Sequence, residues 1–411
     1  MRHHYLENRD IVLFSYQPWD NAVGFNFKDL ALEFAKKNRV LFVNRALDYL
    51  TAFLKRDDAS VQSRLLAFKS GQNELIEVSP NLFVYNPRVI LKSINSIPVS
   101  TIHDYFSNQN IKNLSVELRK MIQTLGMNRI ILINDNDFIR GLYLPKYLDY
   151  DAYIYYLRDY MLGIKSHLRH GPRHEHALMT KVNLVTANSV ALADYAKEFN
   201  PNSFNVGQGC ELSLFSKDSF ALPPEMAAIH GPKIGYVGAL SQSNLDYLLL
   251  EKLAREIPEA QLVFVGSADE TFAHSVLKQM PNVHFLGLKR PEELPAYIHG
   301  FDVCIHPQKI SELTTGNFPR KIIEYLAAGK PTIAIKTQTM EECGQYLLLS
   351  ETADEFVNMV RYSLNNLQSL HEPSKILGRK KYAFSHTWDK SAGLIGDAYH
   401  QVMEEDKFFS L

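Results

Sequence analysis

Cysteine is scarce in this chain: Cys210, Cys304 and Cys343 are the only three in 411 residues. Odd in number and far apart, they argue against a disulfide framework and against paired-thiol metal sites, and they favour a reduced, cytoplasmic setting. No run approaches the eighteen or so apolar residues that a membrane-crossing helix needs. The opening Met-Arg-His-His-Tyr-Leu-Glu-Asn-Arg-Asp carries charge without an apolar signal core, so secretion is not indicated. A surplus of one charge sign is also missing. The formal net charge of -1 gives no general pull toward nucleic acid or an anionic surface. Short-period repeats and low-complexity segments are absent as well. What is present, 46% apolar and 22% charged residues, describes a globular protein. The length calls for two domains rather than one core.

Short apolar runs alternate with helical patterns through the first half. Ile11–Phe14 reads as a strand, followed by a loop from Tyr16 to Gly24, a helix from Asn26 to Lys37 and a second strand, Val40–Val43. Leu82–Tyr85, Arg129–Ile133, Ala152–Tyr155, Leu184–Thr186 and Phe204–Val206 read as further strands, with helices at Val116–Leu125 and Ser189–Glu198. Fully apolar strands separated by helices predict a parallel sheet covered on both faces. The pattern dissolves between Leu214 and Pro232 and then restarts. The second series has strands at Lys233–Gly238, Leu262–Gly266, Val283–Gly287 and Val303–His306, and a helix at Leu245–Glu256. Gly238, Gly266 and Gly287 directly follow strands, as tight turns at a sheet's carboxyl edge require. A last helix follows Phe384–Lys390.

The most informative stretch is Asn-Phe-Pro-Arg-Lys-Ile-Ile-Glu-Tyr-Leu-Ala-Ala-Gly-Lys-Pro, Asn317 to Pro331, followed by the apolar run Thr332–Ile335. It predicts loop, short helix, glycine stop and buried strand. Pro319 suits a helix's first turn, Gly329 the position just past its end, and Pro331 blocks continuation. Backbone amides and the positive dipole end around Asn317, Arg320 and Lys321 suit a phosphate. Lys321 adds a point charge, and Glu324, one turn on, can accept two hydrogen bonds from a vicinal diol such as ribose. The alternative is an ordinary amphipathic helix with both charges on its wet face.

Pro-x-Lys-x-x-Glu-Tyr-Leu-Ala-Ala-Gly-Lys-Pro resembles the nucleotide-sugar signature of GT-B glycosyltransferases of the "glycosyl transferases group 1" type. The resemblance extends to Gln208-Gly209-Cys210-Glu211 with Phe215, and to Gly238-Ala239-Leu240. It implies an α/β fold of two Rossmann-like doubly wound domains facing a cleft, with the terminal helix crossing back to the first. Residues 1–215 with 386–411 would form the acceptor-binding domain and residues 216–385 the nucleotide-sugar-binding domain. It further implies transfer of a sugar, of the hexose type, from a nucleotide-diphosphate sugar such as a UDP-sugar. The acceptor would be a glycan or a lipid-linked glycan in bacterial surface polysaccharide biosynthesis, and neither metal nor other cofactor would take part. On this resemblance Lys321 faces the diphosphate, Glu324 holds the ribose, and Gly238, Asn317 and Arg320 belong to the donor site. Two departures stand out. Gly316 replaces a second glutamate that many members use on the donor sugar, and Ser241-Gln242-Ser243-Asn244 replaces a basic loop. An epimerase of the same fold, or a non-catalytic nucleotide-sugar-binding subunit, remains an alternative.

On the acceptor side, Arg158-Asp159-Tyr160 follows a strand, which makes Asp159 the leading base; pairing with Arg158 or helix capping is the competing reading. Trp19, Asp20 and Gly24 lie in the loop after the first strand, where Trp19 can stack on a sugar or serve as a hydrophobic plug. Asp135-Asn136-Asp137 superficially matches the Asp-x-Asp metal clamp of the GT-A architecture, but turn chemistry or an acceptor-lining loop is the better reading, with Asp137 on the acceptor side. His167, His170, His174 and His176 cluster with no carboxylate or thiol at ligand spacing, which predicts a solvated basic patch rather than a metal site. Lys55, Arg56, Arg64 and Lys69, mixed with Leu54, Leu65, Leu66 and Phe68, form a candidate peripheral membrane contact on the inner face of a membrane. Nothing here asks for nucleic acid.

Overall fold

The computed structural model describes residues 3–20, 26–217 and 219–409. Backbone contacts divide the chain into two compact units, Met1–Gly207 with Trp388–Leu411, and Gln208–Thr387.

The sheet of the first unit has eight strands in the order Ser203–Asn205, Leu184–Ala187, Ala152–Leu157, Ile131–Asp135, Asp10–Ser15, Arg39–Val43, Leu82–Tyr85 and Leu75–Ser79. All neighbours run parallel except the last pair, which is antiparallel with a register shift between Glu77 and Ser79. Side chains alternate between the two faces, so Val12 and Phe14 enter one apolar core while Ile11 and Leu13 enter the other. Burial on both faces explains why these strands are apolar without a break.

The second unit repeats the plan with six parallel strands: Val283–Phe285, Gln261–Val265, Lys233–Val237, Val303–His306, Thr332–Ile335 and Leu348–Ser350. Strand order reverses between Asp10–Ser15 and Ile131–Asp135 in the first unit and between Lys233–Val237 and Val303–His306 in the second. Ligands of open α/β sheets bind at the carboxyl ends of strands at such points.

The terminal helix Trp388–Phe409 belongs to the first unit. Trp388, Ala392, Ile395, Tyr399 and Val402 fall at helical spacing and share a core with Phe27, Leu30 and Phe34. At Gly396 the carbonyl of His4 lies where a side chain would begin, so the amino-terminal segment crosses this helix at close range.

Several boundaries differ from the sequence expectation. The division falls at Gly207/Gln208 and Thr387/Trp388 rather than at 215/216 and 385/386, because Cys210 N–H donates to His386 O at 3.0 Å and Leu212 and Phe215 enter a core of the second unit. Arg129 is not in a strand; its φ of 50° makes it a turn residue. The expected Val116–Leu125 helix is the tail of Ser100–Thr124. Leu75–Ser79 and Leu348–Ser350 are sheet edges outside the expected strands: the first is interrupted by Glu77, and the second lies in the apolar run Tyr346–Leu349, which the sequence reading passed over.

The turns at the carboxyl edge of the second sheet pack back to back. Gly266 has φ 151°, and a Cβ there would strike the carbonyl of Gly238. Gly266→Ala is expected to cost about 1–3 kcal/mol from backbone strain alone. A urea denaturation midpoint equal to that of the parent protein would show that the two turns separate freely.

Candidate functional site

Helix Arg320–Ala327 forms as its residues dictate. Ile322, Ile323, Tyr325, Leu326 and Ala327 are buried, while Arg320, Lys321 and Glu324 lie on the half-buried face. Pro319 occupies the N-cap with φ -73°. Gly329, at φ 72°, ends the helix: its N–H donates to Leu326 O at 2.9 Å and that of Lys330 to Tyr325 O at 3.0 Å. These two bonds are the Schellman closure that a glycine at this position permits.

The buried hydroxyl of Tyr325 accepts the Val237 N–H at 2.7 Å, which pins the helix to the last residue of strand Lys233–Val237. Lys321 is thereby laid over the start of the next turn. Its ammonium donates to the Tyr236 hydroxyl at 2.5 Å and sits 4.2 Å from that ring's centre. A Cβ on Gly238 would come within 2.6 Å of Lys321 Nζ, so glycine leaves the room the ammonium uses. Among the described residues Lys321 has no carboxylate partner, and the Glu324 carboxylate accepts no hydrogen bond. Burial pushes Glu324 above the usual carboxyl range, against the pull of Arg320 and Lys321. A lone ammonium and a lone carboxylate on one helix face, at the sheet's switch point, can serve an anion and a pair of hydroxyls respectively.

Asn317 lies in the loop before the helix. Its N–H, expected to be available, donates to Thr314 O at 3.3 Å, while its side-chain Oδ1 is buried without a hydrogen bond. Gly316 is buried just before it.

His306, which sequence reasoning passed over, ends strand Val303–His306 on the other side of the switch point. It is buried; its Nε2 lies 2.7 Å from Gln308 Oε1, while Nδ1 has no partner. Burial, reinforced by Lys321, lowers its pKa to about 3, so it is neutral at physiological pH. Its position as the last residue of an apolar strand was the signal in the sequence.

In the first unit Asp135, Arg158 and Asp159 form a linked ion triad. Arg158 Nε donates to Asp135 Oδ1 at 2.6 Å, its NH1 donates to Asp159 Oδ2, and Ser15 Oγ donates to Asp135 at 3.3 Å. Burial pushes both carboxyls upward and Arg158 draws them back. Asp159 is about one-third exposed. Asp137 caps the Arg140 N–H at 3.2 Å and pairs with the Arg140 guanidinium, while lining a pocket with Tyr16, Arg45, Lys92 and His167. The outer carboxylates of Asp135-Asn136-Asp137 are therefore committed to two different arginines.

Trp19 packs edge-on against Phe42, ring centres 5.1 Å apart, and the Lys28 ammonium lies 4.8 Å from its ring. It is a plug in the first unit's core. Asp20 is exposed. Gly24 lies outside the described residues.

The histidine-rich segment is not a solvated patch. His167, His170 and His174 are buried, and His103 stacks on His170 with ring centres 4.1 Å apart. A carboxylate does accompany them: Asp104 lies 3.1 Å from His174 Nε2, brought from the distant helix Ser100–Thr124. His103, Asp104 and His174 could converge on a cation, but Arg173 holds both Asp104 oxygens at 2.7 Å and opposes positive charge there. Arg64 also departs from expectation, turning inward to donate to Arg45 O at 3.0 Å instead of facing outward.

The fold matches solved structures over nearly the whole chain. Over 97% of this chain and all of the other, the fold matches sucrose-phosphate synthase from Thermosynechococcus elongatus at TM-score 0.69 and 15% identity. Over 98% of this chain and all of the other it matches Anabaena HepE, solved in complex with UDP, at TM-score 0.61 and 16% identity. The fold is that of the GT-B glycosyltransferases. Residues 231–366, within the second unit, match the family model "Glycosyl transferases group 1". A curated relative, "Putative teichuronic acid biosynthesis glycosyltransferase TuaH" of Bacillus subtilis (strain 168), is 32% identical over 135 residues. That alignment spans 31% of this chain and about a third, 33%, of the relative.

Tyr325→Phe would leave the buried Val237 N–H without its acceptor. A loss of about 1–3 kcal/mol in stability is expected, read from urea denaturation. An unchanged midpoint would mean that the hydroxyl does not hold the helix in place.

Proposed function

We propose that this protein transfers a sugar, of the hexose type, from a nucleotide-diphosphate sugar to a glycan or lipid-linked glycan in bacterial surface polysaccharide synthesis. The observation that carries the reading is the pairing of the Lys321 ammonium with Gly238 at the second unit's switch point, with Glu324 one helical turn away. Lys321 compensates the diphosphate, Glu324 accepts hydrogen bonds from the ribose hydroxyls, and Asn317, Arg320 and the Gly238 turn complete the donor site. Support comes from the family match over this same unit, from the UDP held by the similarly folded HepE, and from the teichuronic acid relative.

In the transfer the acceptor hydroxyl oxygen forms a bond to the anomeric carbon. The bond from that carbon to the diphosphate oxygen breaks, its electron pair leaving with the nucleotide, where fixed positive charge is most effective. Asp159 of the first unit is assigned the acceptor hydroxyl and its proton: Arg158 holds one carboxylate oxygen, leaving the other for that contact. Trp19 supports the acceptor side from within the core, and Asp20, Gly24 and Asp137 belong to the same side. The reaction needs no metal or other cofactor. The described residues contain no helix long and apolar enough to cross a membrane. Work on a lipid-linked acceptor at the cytoplasmic face would therefore rest on peripheral contact.

Glu324→Ala is expected to weaken UDP binding by about 1.5–3 kcal/mol, roughly 10- to 150-fold, measured by calorimetry on the full chain. Unchanged affinity would remove the ribose assignment. Transfer activity is expected to persist in excess EDTA, and its abolition, restored by a divalent cation, would overturn the metal-free reading.

A further inference from the structure

The first unit carries its own pocket, with a cavity volume of about 120 Å³. It lies where ligands of such sheets bind. Tyr16 directly follows strand Asp10–Ser15, Arg45 lies just beyond strand Arg39–Val43, and Asp137 and Arg140 follow strand Ile131–Asp135. The cations of this pocket outnumber its free anions. Asp48 is consumed in capping helix Tyr49–Leu54 and in accepting from Ser93 Oγ at 2.6 Å, and Asp137 is paired with Arg140. Arg45 has no carboxylate partner among the described residues; its guanidinium lies 4.6 Å from the Tyr16 ring centre and makes one long contact, 3.5 Å, to the Tyr16 carbonyl. Burial, with Arg45 among the repelling neighbours, holds Arg64 and Arg140 below the usual guanidinium range. Three cations line the pocket against two carboxylates, one of them paired with Arg140, and the half-buried Arg45 guanidinium, stacked on a ring, is oriented for a further anion.

We infer that this pocket binds a phosphate group of the acceptor, with Arg45 as its principal ligand and Lys92 and Arg140 beside it. The three cations come from separate segments of the chain, an arrangement that suits the several oxygens of a tetrahedral phosphate better than a planar carboxylate. A phosphorylated acceptor can be a lipid phosphate or a water-soluble phosphorylated glycan. Helix Tyr49–Leu54 favours the lipid. It begins at the pocket through Asp48, buries none of its residues, and leaves Tyr49, Leu50, Phe53 and Leu54 between 56% and 69% exposed. The inference rests on reading the first unit as the acceptor side.

Titration of the full chain with inorganic pyrophosphate tests it. Two kinds of site are expected, one lost in Lys321→Gln and the other in Arg45→Gln, where affinity falls at least about tenfold. Lys92→Ala, at an exposed position that cannot threaten the fold, is expected to weaken the Arg45-dependent site by about threefold. Full pyrophosphate affinity at both sites in Arg45→Gln and in Lys92→Ala would overturn the proposal. Failure of Lys321→Gln alone would instead count against the donor site, so the two readings fail separately. Geranyl diphosphate serves as the lipid arm. Arg45-dependent binding at least tenfold tighter than that of pyrophosphate, and reduced in Leu50→Ser/Phe53→Ser, identifies a lipid phosphate. Equal affinities identify a soluble phosphorylated acceptor, and both results support the phosphate site.

Discussion

One hydrogen bond organises the second unit's functional edge: the Val237 N–H donating to the buried hydroxyl of Tyr325. A backbone amide at the end of a central strand has lost its ladder partner and must find an acceptor. Here the acceptor is the side chain of a helix that returns much later in sequence. The same contact that satisfies the amide fixes the rotation of the helix. With Tyr325 facing the strand, Lys321, four residues earlier on the same face, is brought to the Tyr236 hydroxyl, and Glu324 lies one turn beyond Lys321. Gly238 and Gly266 follow from the crowding this creates.

The two units use one plan with different chemistry at their switch points. In the second, among the described residues, Lys321 has no carboxylate partner and the Glu324 carboxylate accepts no hydrogen bond. In the first, the acidic groups that look most reactive in sequence are largely spent on arginines: Asp135 and Asp159 on Arg158, Asp137 on Arg140. Buried carboxylates need such partners, because an uncompensated charge in the interior is costly. Arg45 is the exception, a cation whose local chemistry is incomplete.

Legibility followed locality. Most strands of both sheets could be read because burial on two faces demands unbroken apolar runs, and the edge strand Leu75–Ser79, mostly unburied and interrupted by Glu77, carries no such demand and escaped. The helix from Arg320 and its glycine stop were readable because every signal lies within one short window. The histidines were misread because their carboxylate, Asp104, comes from another helix and because their burial depends on packing that sequence spacing does not reveal. Trp19 could have been a stacking platform or a plug, and only the position of Phe42 and Lys28 decides for the plug.

The chain's order of residues was enough to anticipate two α/β units and a short helix carrying Lys321 and Glu324 one turn apart, since these depend on periodicity and on contacts a few residues apart. Folding alone decided that Lys321 reaches Gly238, that His306 is buried beside the same switch point, that Arg64 turns inward and that Arg45 has no carboxylate partner among the described residues. Each of those outcomes depends on strands and helices meeting across long stretches of chain, where the pairing of charges and the exclusion of water are set by three-dimensional packing.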